Sequence, residues 1–151
     1  MPLMIYSLIL ILSFQLSTMS EINSVLKNQN GDLIIIYFCN TSQCVHCFDI
    51  DKNSVIYALD FIKNKKYAKK VKAISCVECT REIEFRNYKK TLNFLPFVIW
   101  NKGKVFDELK IPSTTAVAII DNNGKVLATF DYQIRTGFSK EICKIIAKYF
   151  K

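Results

Sequence analysis

The stretch "DLIIIYFCNTSQCVHC", residues 32–47, decides how the chain is read. Its first half is a near-continuous apolar, β-branched run preceded by Gly31. Such a run predicts a strand covered on both faces, in the middle of a sheet and with parallel neighbours. Its second half ends in a CxxC whose two cysteines flank the only histidine of the chain. From Cys44 to about Lys66 there is no proline or glycine, and Val55, Ile56, Leu59 and Ile62 recur at helical spacing. The expectation is a helix, irregular near Asp49 and Asp51. A buried strand therefore delivers a cysteine pair to a helix start, where the partial positive charge of the helix terminus lowers a thiol pKa. Cys44 is the candidate nucleophile of disulfide exchange. Cys47, one turn later, is the candidate resolving thiol, and His46 stabilises the Cys44 thiolate when protonated. A structural disulfide or half of a metal site is the competing reading of the pair, although a CxxC closes too small a loop to restrain an unfolded chain much.

Working outward, "KKVKAIS" (69–75) is a second strand. "CTREIEFRNYKKTL" (79–92) is a second helix, with Thr80 as candidate cap. "LPFVIW" (95–100) is a short strand opened by Pro96, followed by a turn at "NKGK". "STTAVAIID" and "KVLATFDY" flank "NNG", a hairpin signal. "SKEICKIIAKYF" closes the chain as a helix behind the candidate cap Ser139. The order strand, CxxC, helix, strand, helix, strand, hairpin, helix predicts an α/β fold: a three-layer α/β/α sandwich around a mixed central sheet. With 151 residues, half of them hydrophobic, the chain buries the core of one domain.

These residues resemble the thioredoxin-fold family, specifically its TlpA-like and AhpC/TSA-like thiol-disulfide oxidoreductases. In that group an apolar strand carries a CxxC to a helix start, and the latter half follows a pattern similar to "FLPFVIWNKGKVFDELKIPSTTAVAIIDNNGKVL", residues 94–127. The resemblance covers roughly residues 30–150 and implies a redox-active pair, no cofactor, and thiols or disulfides of proteins or small molecules as partners. CVHC is similar to the CPHC of strong periplasmic disulfide oxidases. The family's cis-proline beside the CxxC corresponds to Thr115, which makes Thr114 and Thr115 the candidate substrate-binding positions. The family's tryptophan before the first cysteine is replaced by Ser42-Gln43, and its buried strand carboxylate has no counterpart, since the strand offers Tyr37 and Phe38.

A second pair, "CVEC" at 76–79, stands where the strand from residue 69 ends. In this fold Cys76 and Cys79 are expected to emerge on the same sheet edge as Cys44 and Cys47. There they would relay electrons, bind zinc as four thiolates, form a disulfide, or pair with Cys39. The zinc reading is disfavoured by the long gap and the rigid helix between the pairs. Cys143, beside Ile142, reads as a small core hydrophobe. Two other function classes compete with the oxidoreductase. A thiol peroxidase is suggested by the TxxC spacing of Thr41 and Cys44, but Tyr37 stands where that signature has proline. A non-catalytic binding module would keep the fold and use its cysteines structurally.

Residues 1–20, "MPLMIYSLILILSFQLSTMS", carry no charge, and the apolar stretch from Leu3 to Leu16 is shorter than the roughly 20 residues of a membrane span. They read as a signal peptide or N-terminal membrane anchor ahead of a thioredoxin-like domain at 21–151, although the n-region has no Lys or Arg. The expected location is exported: periplasmic, or anchored and facing the extracytoplasmic side. The net charge is +8, much of it in "KNKKYAKKVK" at 63–72, which reads as a solvated helix end. Nucleic-acid binding is disfavoured by the expected export and because that stretch has no arginine and no alternation of basic and aromatic residues.

Overall fold

The computed structural model describes residues 17–40, 45–92, 94–132 and 137–151, without the side chains of 45–48. Along the chain run α1 (Thr18–Asn28), β1 (Leu33–Asn40), α2 (Val45–Ile62), a 3-10 turn (Ala68–Lys70) and β2 (Val71–Glu78). They are followed by α3 (Glu82–Thr91), β3 (Phe97–Asn101), α4 (Val105–Leu109), β4 (Thr115–Asp121), β5 (Val126–Asp131) and α5 (Ser139–Tyr149). The five strands form one mixed sheet in the order β3-β2-β1-β4-β5. β1 lies in its centre, parallel to β2 and antiparallel to β4, while β3 and β5 close the two edges.

Strand alternation divides the core into two layers. Leu33, Ile35, Tyr37 and Cys39 of β1 face one side, together with Val71, Ala73 and Val77 of β2 and with Val55, Ala58, Ile62, Ile142 and Ile146 from α2 and α5. Ile34, Ile36 and Phe38 face the other, together with Ile74 and Cys76 of β2, Ile22 and Leu26 of α1 and Val105 and Leu109 of α4. This is the expected three-layer α/β sandwich. Burial of β1 through Cys39 explains its unbroken apolar sequence, because no position along those seven residues meets water.

Two helices lie where no element was expected. α1 buries Ile22 and Leu26, four residues apart, and Ser17 caps it by accepting from the Ser20 N–H at 3.1 Å. α4 is a five-residue helix ended by Lys110 in the left-handed region, φ 55°. Thr18 is buried and bridges to β3: its hydroxyl donates to the Trp100 carbonyl at 3.4 Å and accepts from the Lys102 N–H at 3.1 Å. The helix and its cap thus take in residues 17–20, the last four of the stretch expected to be leader.

Both expected side-chain caps are displaced. α3 starts behind Arg81, not Thr80, and Glu84 reaches back to accept from the Arg81 N–H at 3.4 Å while pairing with its guanidinium at 2.6 Å. α5 starts at Ser139 with Phe138 in the capping position. The hairpin forms as expected: the Asp121 carboxylate accepts from the Asn123 and Lys125 N–H groups at 2.9 Å each, and Gly124 takes φ 78°. In the lysine-rich stretch, Lys63 pairs with Asp60 at 2.8 Å and Lys70 with Asp32 at 2.9 Å. Among the described residues no helix is long and apolar enough to cross a membrane.

Candidate functional site

The carboxyl end of β1 is where the sheet hands the chain to α2. Cys44 lies outside the described residues. His46 and Cys47 fall in the first turn of α2, whose backbone begins at Val45. The helix start therefore stands at the CVHC motif, the placement that favours a thiolate.

The expected irregularity near Asp49 and Asp51 is absent, because α2 runs unbroken from Val45 to Ile62. Asp51 is instead taken into the interior, 1% exposed. It belongs to the stripe Asp51, Val55, Ala58 and Ile62 that faces the sheet, and residue 47 precedes it by about one helical turn. Ser54, beside Asp51, donates to the Ile50 carbonyl at 3.0 Å and accepts from the Phe138 N–H at 3.1 Å, pinning α2 to the start of α5. Asp51 is thus a buried carboxylate one helical turn beyond position 47. The sequence signal was present: a single Asp in register with the apolar stripe of a helix. Apolar periodicity does not mark it, because a carboxylate does not count towards the hydrophobic stripe.

Around Asp51 stand two tyrosines. Tyr37 on β1 is fully buried and packs edge-on against Phe94, centroids 5.8 Å apart. Burial first, then the charges of Cys39 and Asp51, hold its hydroxyl protonated far above the ordinary tyrosine range. Tyr132, just after β5, is pushed up to about 12 by burial and by Glu78, Cys39 and Asp51. Both therefore remain neutral hydrogen-bonding groups at physiological pH.

Of the candidate substrate positions, Thr114 is exposed, and its carbonyl accepts from the Tyr132 N–H at 3.2 Å. Thr115 opens β4 and is buried. Extending the β1–β4 register by two residues brings Thr115 level with Cys39. Thr115 thus stands level with the end of the motif strand.

The second pair departs from expectation. β2 continues through Cys76 and Val77 to Glu78, so Cys76 is a mid-strand residue, fully buried opposite Phe38 and Ile99 on the α1 side. Cys79, past the strand end, packs on the α2 side. A spacing of three that aligns two residues on a helix sends them to opposite faces of a strand. Cys76 and Cys79 do not emerge together, and a four-thiolate site shared with the first pair is excluded by the sheet standing between them. Cys39, Cys76, Cys79 and Cys143 are thiols, and among the described residues no three His, Cys, Asp or Glu side chains gather as metal ligands. Cys143 is half-buried and donates to the Ala58 carbonyl at 3.8 Å, packed between α5 and α2.

No family model matches this sequence and no curated protein does. Solved structures do. The chain is similar to the exposed lipoprotein thioredoxin of Streptococcus pneumoniae, at 19% identity and TM-score 0.53 over 79% of this chain and 89% of that one. It is similar to a thiol:disulfide interchange protein from Bacteroides, at 16% and 0.55 over 82% and 76%. It is also similar to copper-bound ScoI of Arabidopsis thaliana, at 15% and 0.55 over 82% and 89%. At these identities the likeness is one of fold.

Proposed function

We propose that this chain, which has the thioredoxin fold, is an exported thiol-disulfide oxidoreductase working through the CVHC pair. The observation that carries the proposal is the placement of His46 and Cys47 in the first turn of α2, directly after the central strand, with Asp51 buried one turn beyond. Cys44 attacks the substrate disulfide as a thiolate, forming a mixed disulfide and releasing one substrate thiolate, which takes up a proton. Cys47 then gives its proton to Asp51 and attacks the Cys44 sulfur, releasing the second substrate thiol and leaving a Cys44–Cys47 disulfide. Two electrons pass from the dithiol to the substrate, and the reverse sequence oxidises a substrate dithiol. His46 tunes the potential by stabilising the Cys44 thiolate. Thr114 faces the substrate, and Thr115 holds it in place. Among thiol compounds, protein disulfides are the favoured substrates.

The apolar segment at 3–16 directs export, cleaved or retained as an anchor, with the thioredoxin-like domain following it. Because Ser17 and Thr18 already serve α1, we place the cleavage point, if there is one, ahead of Ser17 and not after Ser20. Turnover of a model protein disulfide by the reduced chain tests the activity. Loss of turnover with either Cys44→Ser or Cys47→Ser supports it. Absence of turnover in the unsubstituted chain refutes it and leaves a non-catalytic binding module.

A further inference from the structure

Cys39 and Cys79 have a relation that neither CxxC accounts for. Cys39 lies near the end of β1 on the α2 face, and its register partner on β2 is Val77, on the same face. Cys79 follows Val77 by two residues and packs on that face too. The two cysteines are therefore diagonal neighbours across adjacent parallel strands. Cys76, the sequence partner of Cys79, lies on the far face of the sheet. Burial pushes the Cys39 thiol up to about 12, and the next cause is the Cys79 charge; Tyr88 is raised, after burial, by both cysteines. Cys39 is sealed in the core, whereas Cys79 is partly open to solvent.

We infer that Cys39 and Cys79 form a second redox site, which closes to a disulfide on reaction with a small external disulfide and thereby shifts the chain between β2 and α3. The inference stands apart from the proposed activity of Cys44 and Cys47. Cys79 is the entry thiol because it alone of the two meets solvent. Its thiolate attacks the external disulfide RSSR, forming Cys79–S–S–R and releasing RS⁻, which takes up the proton that Cys79 gave to solvent. Cys39 then attacks the Cys79 sulfur, and its proton leaves with the second RS⁻. Two thiols are oxidised to one bond, and RSSR is reduced to two RSH.

Strands about 4.8 Å apart and two residues of rise place such diagonal Cα atoms roughly 8 Å apart, while a disulfide needs less than about 7 Å. Closure must therefore draw residue 79 inward. Residues 79–81 belong to no strand or helix and can follow. The Cys79 carbonyl accepts from the Trp100 indole N–H at 3.0 Å, and Trp100 stacks on Phe85 of α3, centroids 5.6 Å apart. The single tryptophan of the chain is thus attached to the segment that moves.

The test uses the full chain carrying Cys44→Ser and Cys47→Ser, treated with oxidised glutathione and followed by peptide mapping and tryptophan fluorescence. The expected result is a cross-link between Cys39 and Cys79, with Cys76 and Cys143 left as thiols and a change in Trp100 emission at the same rate. That rate rises about tenfold from pH 7 to pH 8, as the entry thiol ionises. With Cys39→Ala added, the reaction stops at a glutathione adduct on Cys79. The chain with Cys44 and Cys47 intact provides a second measurement that does not depend on the folding of a variant, and it should yield the same cross-link. A lasting glutathione adduct on Cys79 while Cys39 is present, a Cys76–Cys79 cross-link, or no oxidation of Cys79 would each overturn the inference.

Discussion

CVHC and CVEC have the same spacing and opposite fates. Residues 45–47 of the first fall in the first turn of a helix, the state in which residues three apart share a face. The second straddles the end of β2, where the same spacing turns one thiol into the α1-side core and leaves the other on the α2 side. A CxxC spacing that puts both thiols on one face of a helix parts them on a strand. On a strand it is two unrelated cysteines, each of which takes whatever neighbour its own face provides. Cys76 meets Phe38 and Ile99 across the sheet, and Cys79 meets the face of Cys39.

The largest effects that separate the two motifs are in turnover. Cys44→Ser should abolish formation of a mixed disulfide, whereas Cys47→Ser should trap it, both read by non-reducing electrophoresis with a model protein disulfide. Cys76→Ala should leave turnover unchanged, and equal loss in both motifs would break the comparison. Next in size is Asp51→Asn, which removes the proton acceptor of the resolving step. It should slow turnover by about 10² at neutral pH, with the first attack by Cys44 unaffected in stopped-flow alkylation. Slowing of the alkylation itself would make Asp51 a tuner of Cys44 instead. Replacing His46 with leucine should make the pair more reducing, a tenfold change in equilibrium corresponding to about 30 mV, as measured against glutathione.

Stability effects are smaller. Cys76→Ala should cost about 1–2 kcal/mol in denaturant unfolding, by leaving a small cavity under α1. The raised Cys39 pKa gives a pH dependence. The folded thiol holds its proton to about 12 while the unfolded one releases it near its ordinary 9.0, so the contribution is complete below pH 9 and is lost as pH climbs from 9 towards 12. Cys39→Ala should flatten that alkaline decline in an unfolding series, and an unchanged slope would assign it to the other groups that burial raises, Cys76, Tyr37 and Tyr132.

The layer order was legible in the sequence because each strand and helix of the sandwich carries a period of its own. β1 reads as a central strand from its unbroken apolar run, and α2 as a helix from Val55, Ile56, Leu59 and Ile62. The stripe that faces the sheet is Asp51, Val55, Ala58 and Ile62, with Ile56 and Leu59 only half-buried at its margins. The hydrophobic residues located the helix, but its buried face was set by small and polar members that periodicity discounts. Asp51 was overlooked for that reason. α1 was hidden because Thr18 to Ser20 were counted with the apolar segment before them, and α4 because five residues are too few for a period to register. The split of CVEC turned on where β2 ends. Three residues of extra strand, Cys76 to Glu78, reverse the meaning of the motif, and no local signal marks that end because Val77 suits either state.

The measurement that tests the contrast most directly is disulfide mapping of the reduced chain after a single turnover with one equivalent of a protein disulfide. The account predicts a Cys44–Cys47 disulfide with Cys76 still a thiol. A Cys76–Cys79 disulfide in its place, or a chain with all six cysteines still reduced and the substrate untouched, would contradict it.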